Sequence, residues 1–273
     1  MADESQPKPK GEEISSIVQK AAQTQAQLEA IEKEIRENQP LTSELKPITA
    51  LKQVYDASDP ASKFFTSGVD YLSTVYQSTR MTRGDGSCYY RSFLYSLCEY
   101  LMKNEAELTR LTKYLKDSNS AVINVGGYDE MAIGVFFERI VEFFEDLPKM
   151  TPKDLHDELI EESSISDYCT WYLRALAATF LKSDPSRFLP YLEDGYMDIA
   201  TYCQEQIEPM GKECTMVSVL ALAEAFQVRV QIEYLDGRPF QDTLTRHEFG
   251  PEESPTKLSL LYRPGHYDIL YTK

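Results

Sequence analysis

Two short segments, far apart in the chain, carry residue types able to do nucleophilic chemistry. The first is Arg83-Gly84-Asp85-Gly86-Ser87-Cys88, which runs straight into Tyr89-Tyr90-Arg91-Ser92-Phe93-Leu94. Two glycines and an aspartate form a tight turn whose backbone amides can converge on one concavity. Cys88 then falls in the first turn of an amphipathic helix. The unpaired N–H groups and positive dipole end found there favour thiolate over thiol, and the same amides can stabilise an oxyanion beside the sulfur. Taken alone, the segment fits equally a buried core cysteine that follows a turn. The second segment is His266-Tyr267-Asp268, after Arg263-Pro264-Gly265. Residues two apart on a strand share a face. Asp268 can therefore reach His266, fix one tautomer and stabilise the imidazolium formed when the ring takes a proton. A thiol hydrolase needs such a pair brought to its cysteine by the fold.

The pairing of Cys88 with His266 rests partly on elimination. His156 sits on a polar helix beside Asp154 and Asp157, and His247 lies in a long loop, so both read as ordinary solvated histidines. Cys98, among Leu94, Leu97 and Leu101, and Cys169, near Trp171 and Tyr172, read as core residues. Cys203 and Cys214 have no His or Cys at ligand spacing, so neither a metal site nor a cofactor is expected.

The elements that must position these residues are helical first and stranded last. Periodicity predicts helices over 88–102, 105–117, 128–146, 152–162, 166–182 and 215–226, with Thr151 as N-cap and Pro152 at the first position of the fourth. Val228, Val230, Ile232 and Tyr234 alternate with polar residues, the pattern of a half-buried strand. Strands over 258–262 and 267–271 flank the Arg-Pro-Gly turn, and a Gly/Pro/Asp-punctuated loop spans 236–256. Helices packed on a short sheet make an α+β fold. Residues 1–40 stand apart as an N-terminal arm, with residues 41–273 as the body. In the arm, Ile14, Ile17, Ala21, Leu28, Ile31 and Ile35 form a heptad stripe with a polar slip at Thr24, closed by Pro40. So narrow a face suits either a marginal helix on its own domain or one ordered only against a partner.

Composition narrows the class of function. The 273 residues are 42% hydrophobic and 26% charged, the proportions of a globular protein whose core needs no staples. Lys and Arg total 28 against 44 Asp and Glu, a net charge of −16. The arm carries eight acids and five bases, so the acidity belongs to the body. Such a balance argues against nucleic acid and anionic membranes and suits a partner with a basic surface. No apolar run approaches a membrane span, and the first residues hold no signal-peptide core. Five cysteines without a CxxC pair suit a reducing compartment. The expected location is the cytoplasm, with the nucleus also open.

The segment Gly84-Asp85-Gly86-Ser87-Cys88-Tyr89-Tyr90-Arg91 resembles the nucleophile box of the ovarian-tumour (OTU) family of deubiquitinating cysteine proteases. Leu260-Leu261-Tyr262-Arg263-Pro264-Gly265-His266-Tyr267-Asp268 resembles the histidine box of its otubain branch. Cys203-Gln204-Glu205-Gln206-Ile207-Glu208-Pro209-Met210 and Ile232-Glu233-Tyr234-Leu235-Asp236 resemble further otubain segments, all in family order. The likeness implies a papain-like fold with Cys88 as nucleophile, His266 as general base, Asp268 as its orienting acid and Asp85 shaping the oxyanion site. It implies hydrolysis of isopeptide bonds after the C-terminal glycine of ubiquitin, with a preference for lysine-48-linked chains. By matched motif, Leu220, Tyr234, Asp236, Tyr262 and Tyr267 would contact ubiquitin, and the arm would help bind ubiquitin-conjugating enzymes. The chain departs from the family at Ser87 and Tyr89, usually Asn and Phe, and at Cys214-Thr215-Met216, where an acid and a histidine are common. The alternative is a non-catalytic protein that holds ubiquitin and a conjugating enzyme and restrains transfer. The intact Cys–His–Asp set favours catalysis, since a pure binder has no mechanistic need of it.

Overall fold

The computed structural model describes residues 23, 24, 26, 27, 30, 33–55, 58–161, 165–192 and 195–273. The chain divides into two units, Met1–Asn38 and Gln39–Lys273. In the first, residues 33–38 are helical and Ile35 is half-buried; the stripe positions Ile14, Ile17, Ala21, Leu28 and Ile31 lie outside the described residues.

The second unit is built on one six-stranded sheet of order β1-β2-β6-β5-β3-β4. The strands are β1 (Lys46–Pro47), β2 (Tyr76–Arg80), β3 (Arg229–Tyr234), β4 (Thr245–Phe249), β5 (Lys257–Arg263) and β6 (His266–Thr272). Only β3 and β5 run parallel; the other pairs are antiparallel. Among the described residues of this unit, the helices of nine residues or more are α1 (Lys63–Val75), α2 (Cys88–Leu101), α3 (Glu105–Asn124), α4 (Glu130–Asp146), α5 (Pro152–Ile160), α6 (Ile165–Ser183) and α7 (Met216–Ala225).

Strand alternation sorts the sheet into two faces. Val230, Ile232, Leu258, Leu260, Tyr267 and Ile269 join the large helical core, in which α2 packs on β5 and β6. Leu261 and Leu270 point the other way and meet Val69 and Leu72 of α1, with Leu235, Leu244, Ile48 and Leu51, in a second core. Gly68 permits that approach, since a Cβ there would stand 2.3 Å from the Leu235 side chain. Both α1 and β2 lie in a stretch the sequence reading leaves unassigned. The helix passes straight into the strand with Tyr76 as its C-cap, and no Gly or Pro marks the junction.

Two expectations are corrected. The segment 236–256 is not one long loop: it contains β4, the sheet's edge, whose Thr245-Arg246-His247-Glu248 are all exposed. A strand polar on both faces has no hydrophobic alternation to betray it, and charge on an edge discourages pairing with other chains. His156 is not solvated. It is buried on α5, its Nδ1 2.9 Å from the Tyr95 hydroxyl and its Nε2 3.1 Å from Glu44 Oε1. Both partners come from distant segments, so local polarity misleads.

Candidate active site

The loop before α2 is fixed by its own aspartate. The Ser87 N–H donates to Asp85 Oδ1 at 2.9 Å, and the other carboxylate oxygen accepts from Arg91 Nη2 at 3.0 Å. Arg91, itself buried, also donates to Ser166 Oγ (2.9 Å) and Asp167 Oδ1 (2.8 Å) on α6. With both its oxygens engaged as acceptors, Asp85 shapes the loop and, as a carboxylate, offers no donor of its own. Gly86 has φ +75°, and a Cβ on it would stand 2.0 Å from the Gly211 carbonyl oxygen. That position therefore demands glycine twice over. The Ser87 carbonyl takes the first helical bond from the Arg91 N–H at 3.1 Å, so Cys88 opens α2 with its own N–H among the donors that have no intrahelical acceptor. The residue is buried, with only 2% of it exposed.

The histidine comes from the β5–β6 hairpin. Pro264-Gly265, with Gly265 at φ +71°, closes a two-residue turn that sets Arg263 opposite His266 and Leu261 opposite Asp268. Arg263, His266 and Asp268 thus share one face. His266 Nε2 donates to Asp268 Oδ1 at 2.9 Å, and the Cys88 side chain is near enough to the ring to favour its charged form. Nε2 being engaged, Nδ1 is the nitrogen left for the sulfur. Asp268 is wholly buried and accepts in addition from the Thr82 N–H (3.0 Å) and from Arg263 Nε (2.9 Å) and Nη2 (2.7 Å). Burial alone would raise its pKa, but the His266 hydrogen bond and charge, with Arg263, bring it below the usual carboxylate value. Burial likewise opposes charge on His266, and Asp268 and Cys88 overcome this, pushing its pKa up to about 9. At neutral pH the ring is held as imidazolium, ready to donate a proton. Burial pushes the thiols of Cys98, Cys169, Cys203 and Cys214 above their ordinary value.

Beside this line lies a cleft of about 760 Å³, walled by Gly211, Glu213, Cys214, Thr215, Met216, Tyr234, His247, Tyr262 and Tyr267 among others. The predicted recognition residues divide here. Tyr234 and Tyr262 pack ring to ring at 4.7 Å, and the Tyr234 hydroxyl donates to Met216 Sδ at 2.9 Å. Tyr267 touches the cleft but is 4% exposed, wedged against Tyr89 and Tyr262. Leu220 is half-buried against the helical core, and Asp236 accepts from the Arg238 N–H of its own loop; neither lines the cleft. His247, expected in a loop, instead stands on β4 with its ring 4.7 Å from Tyr234. The divergent Cys214, Thr215 and Met216 all face this cleft, and Thr215 caps α7 through the Ser218 N–H.

Two residues escaped the sequence reading. Arg263 was within reach of it, because a two-residue Pro-Gly turn fixes the hairpin register and hence its proximity to Asp268. Arg174, on α6, is fully buried and donates to Gly86 O, Ser87 Oγ, Ile207 O and Lys212 O. A buried Arg among apolar neighbours in a helix was the one signal available.

Comparison with known proteins agrees with the geometry. The chain is 35% identical to the human "Ubiquitin thioesterase OTUB1" over 246 residues, 90% of this chain and 88% of that one. It is 30% identical to "Ubiquitin thioesterase otubain-like" of Caenorhabditis elegans over 254 residues, 90% and 86% of the two chains. Among solved structures it resembles a chain of "The structure of h/ceOTUB1-ubiquitin aldehyde-UBCH5B~Ub", with a TM-score of 0.86 and 29% identity over 94% of this chain and 99% of that one. It also resembles a chain of "The structure of a ceOTUB1 ubiquitin aldehyde UBC13~Ub complex", with a TM-score of 0.83 and 31% identity over 90% and 99%. Residues 34–272, the whole sheet and both halves of the Cys88–His266 site included, match the family described as Peptidase C65 Otubain, and the chain belongs to it.

Proposed function

We propose that this otubain is a cysteine-type deubiquitinase that hydrolyses isopeptide bonds after the C-terminal glycine of ubiquitin, preferring lysine-48-linked chains. The observation that carries the catalytic part is the unbroken line Arg263–Asp268–His266–Cys88, which holds an imidazolium against a sulfur at a helix N-terminus. In this reading the Cys88 thiolate attacks the glycine carbonyl, and the developing oxyanion is met by the Cys88 N–H. His266 then protonates the departing lysine ε-amine, leaving a thioester on Cys88. Water attacks that thioester as His266 takes its proton, and the carboxylate is released with the thiolate restored.

The substrate part is supported by the related proteins, which are named ubiquitin thioesterases. The aromatic cleft beside Cys88 suits an extended peptide tail, while the linkage preference rests on the otubain resemblance. A second reading, binding of ubiquitin-conjugating enzymes with residues 1–38 contributing, is favoured by the two similar structures whose titles name UBCH5B~Ub and UBC13~Ub. The two activities are compatible. Purified protein incubated with di-ubiquitins of every linkage, beside Cys88→Ala, tests the proposal. Cleavage led by the lysine-48 linkage and absent from Cys88→Ala is the expected result. No cleavage of any linkage, with conjugating-enzyme binding retained, would leave the binding reading alone.

A further inference from the structure

Gly86 gives the nucleophile loop a freedom that something must remove. With φ +75° and no Cβ, it is the residue about which the Gly86–Ser87 peptide could turn over. In the structure that peptide is pinned at both ends. Its N–H donates to Asp85 Oδ1 at 2.9 Å, and its carbonyl accepts from Arg174 Nη2 at 3.0 Å. The next carbonyl, that of Ser87, is held by the Arg91 N–H. The direction of the Cys88 N–H follows from these anchors. Arg174 Nη2 also donates to Ser87 Oγ (3.1 Å) and Lys212 O (2.8 Å), and Nη1 to Ile207 O (2.9 Å). One side chain thereby ties the nucleophile loop to the segment that leads into the cleft wall at Glu213 and Cys214.

The guanidinium is 0% exposed and, among the described residues, meets no carboxylate; the Tyr90 ring lies over it at 4.3 Å. Burying an uncompensated charge is unfavourable, so packing alone gives no reason for arginine here. What arginine supplies is a rigid planar fork able to bond acceptors from two loops at once, a geometry lysine lacks.

We propose that Arg174 is a positioning residue for the hydrolysis: by clamping the Gly86–Ser87 peptide against the 207–212 segment it aims the Cys88 N–H at the oxyanion. This rests on Cys88 being the nucleophile. Wild-type cleavage of a ubiquitin C-terminal ester, lost in Cys88→Ala, establishes that premise separately.

The test is Arg174→Lys, with folding checked by near-UV circular dichroism. A misplaced oxyanion donor should lower kcat about tenfold or more while KM changes less than about twofold. Affinity for ubiquitin bearing a C-terminal aldehyde, which forms a tetrahedral adduct with the thiolate, should fall in parallel. Alkylation of Cys88 by iodoacetamide uses the thiolate but no oxyanion donor, and its rate across pH should stay within about twofold of wild type. Ser87→Ala removes one acceptor of the clamp without touching α6. It should lower kcat about threefold and add little to Arg174→Lys, because both act through one unit. The proposal is overturned if folded Arg174→Lys keeps its kcat, if only KM rises, or if alkylation slows in step with kcat. Should Arg174→Lys fail to fold, an unchanged kcat in Ser87→Ala would overturn it instead.

Discussion

Replacing Asp268 with asparagine tests the centre of the site, because the substitution keeps shape and removes charge. Asp268 Oδ1 accepts from His266 Nε2 and the Thr82 N–H, and Oδ2 accepts from two nitrogens of Arg263. An asparagine can serve only one side. With its oxygen toward His266 and Thr82, its NH2 confronts the Arg263 guanidinium, donor against donor. Flipped, it serves Arg263 and opposes His266 and the Thr82 N–H. Either way a largely buried guanidinium loses its counter-charge, a change that costs about 3–5 kcal/mol when one member of a buried pair is removed. Urea unfolding at pH 7 should therefore show a loss of that order.

The effect on His266 has its own pH signature. Its folded pKa, about 9, lies above the unfolded value of 6.5. Its contribution to stability is thus fully present below pH 6.5 and is lost as pH rises through 9. A shift of that size is worth at most about 3 kcal/mol. Asp268→Asn removes the hydrogen bond and charge of Asp268 and leaves only Cys88 to oppose burial, so the pKa should fall from about 9 and this slope should shrink. In turnover, the alkaline limb of kcat/KM on a ubiquitin ester should lie near 9 in wild type and move to lower pH in the variant. The rate at neutral pH should drop by a factor approaching the general-base range of about 10²–10⁴, though less than in His266→Ala. Wild-type kcat/KM with an unmoved alkaline limb would refute the reasoning, since another group would then have to hold the imidazolium.

Gly86→Ala places a Cβ 2.0 Å from the Gly211 carbonyl oxygen at a positive φ. It should cost about 1–3 kcal/mol, read as a lower Tm, together with a fall in kcat as the loop moves. Deleting residues 1–38 leaves Cys88, His266 and Asp268 in place. Steady-state kinetics should show a raised KM for di-ubiquitin and an unchanged rate on a small ubiquitin ester. Equal losses on both substrates would show that the arm supports the body instead of binding substrate.

The parts of this site that sequence reveals are those whose geometry is local. A Gly-Asp-Gly turn feeding a cysteine into a helix, and a His-x-Asp step after Pro-Gly, each place their groups by chain connectivity, and the structure puts them where spacing says. The same hairpin logic would have delivered Arg263 from the register across Pro264-Gly265. Helices and strands with a clear apolar period were legible to within a few residues, α3 excepted, which continues seven residues beyond its expected end at 117. Their exposed counterpart β4 and the unpunctuated junction of α1 with β2 were not. His156 failed for a related reason: its burial depends on Tyr95 and Glu44, which no local pattern connects to it. Arg174 lies deeper still beyond sequence, because three of its four acceptors are backbone carbonyls. A carbonyl leaves no mark in the residue type that bears it. What the sequence does carry is the other half of the contact, an arginine in the middle of Trp171-Tyr172-Leu173-Arg174-Ala175-Leu176-Ala177. A cation placed inside an apolar helix must find acceptors within the core, and Arg174 finds three of them in the backbone carbonyls of the loop before Cys88 and of the 207–212 segment.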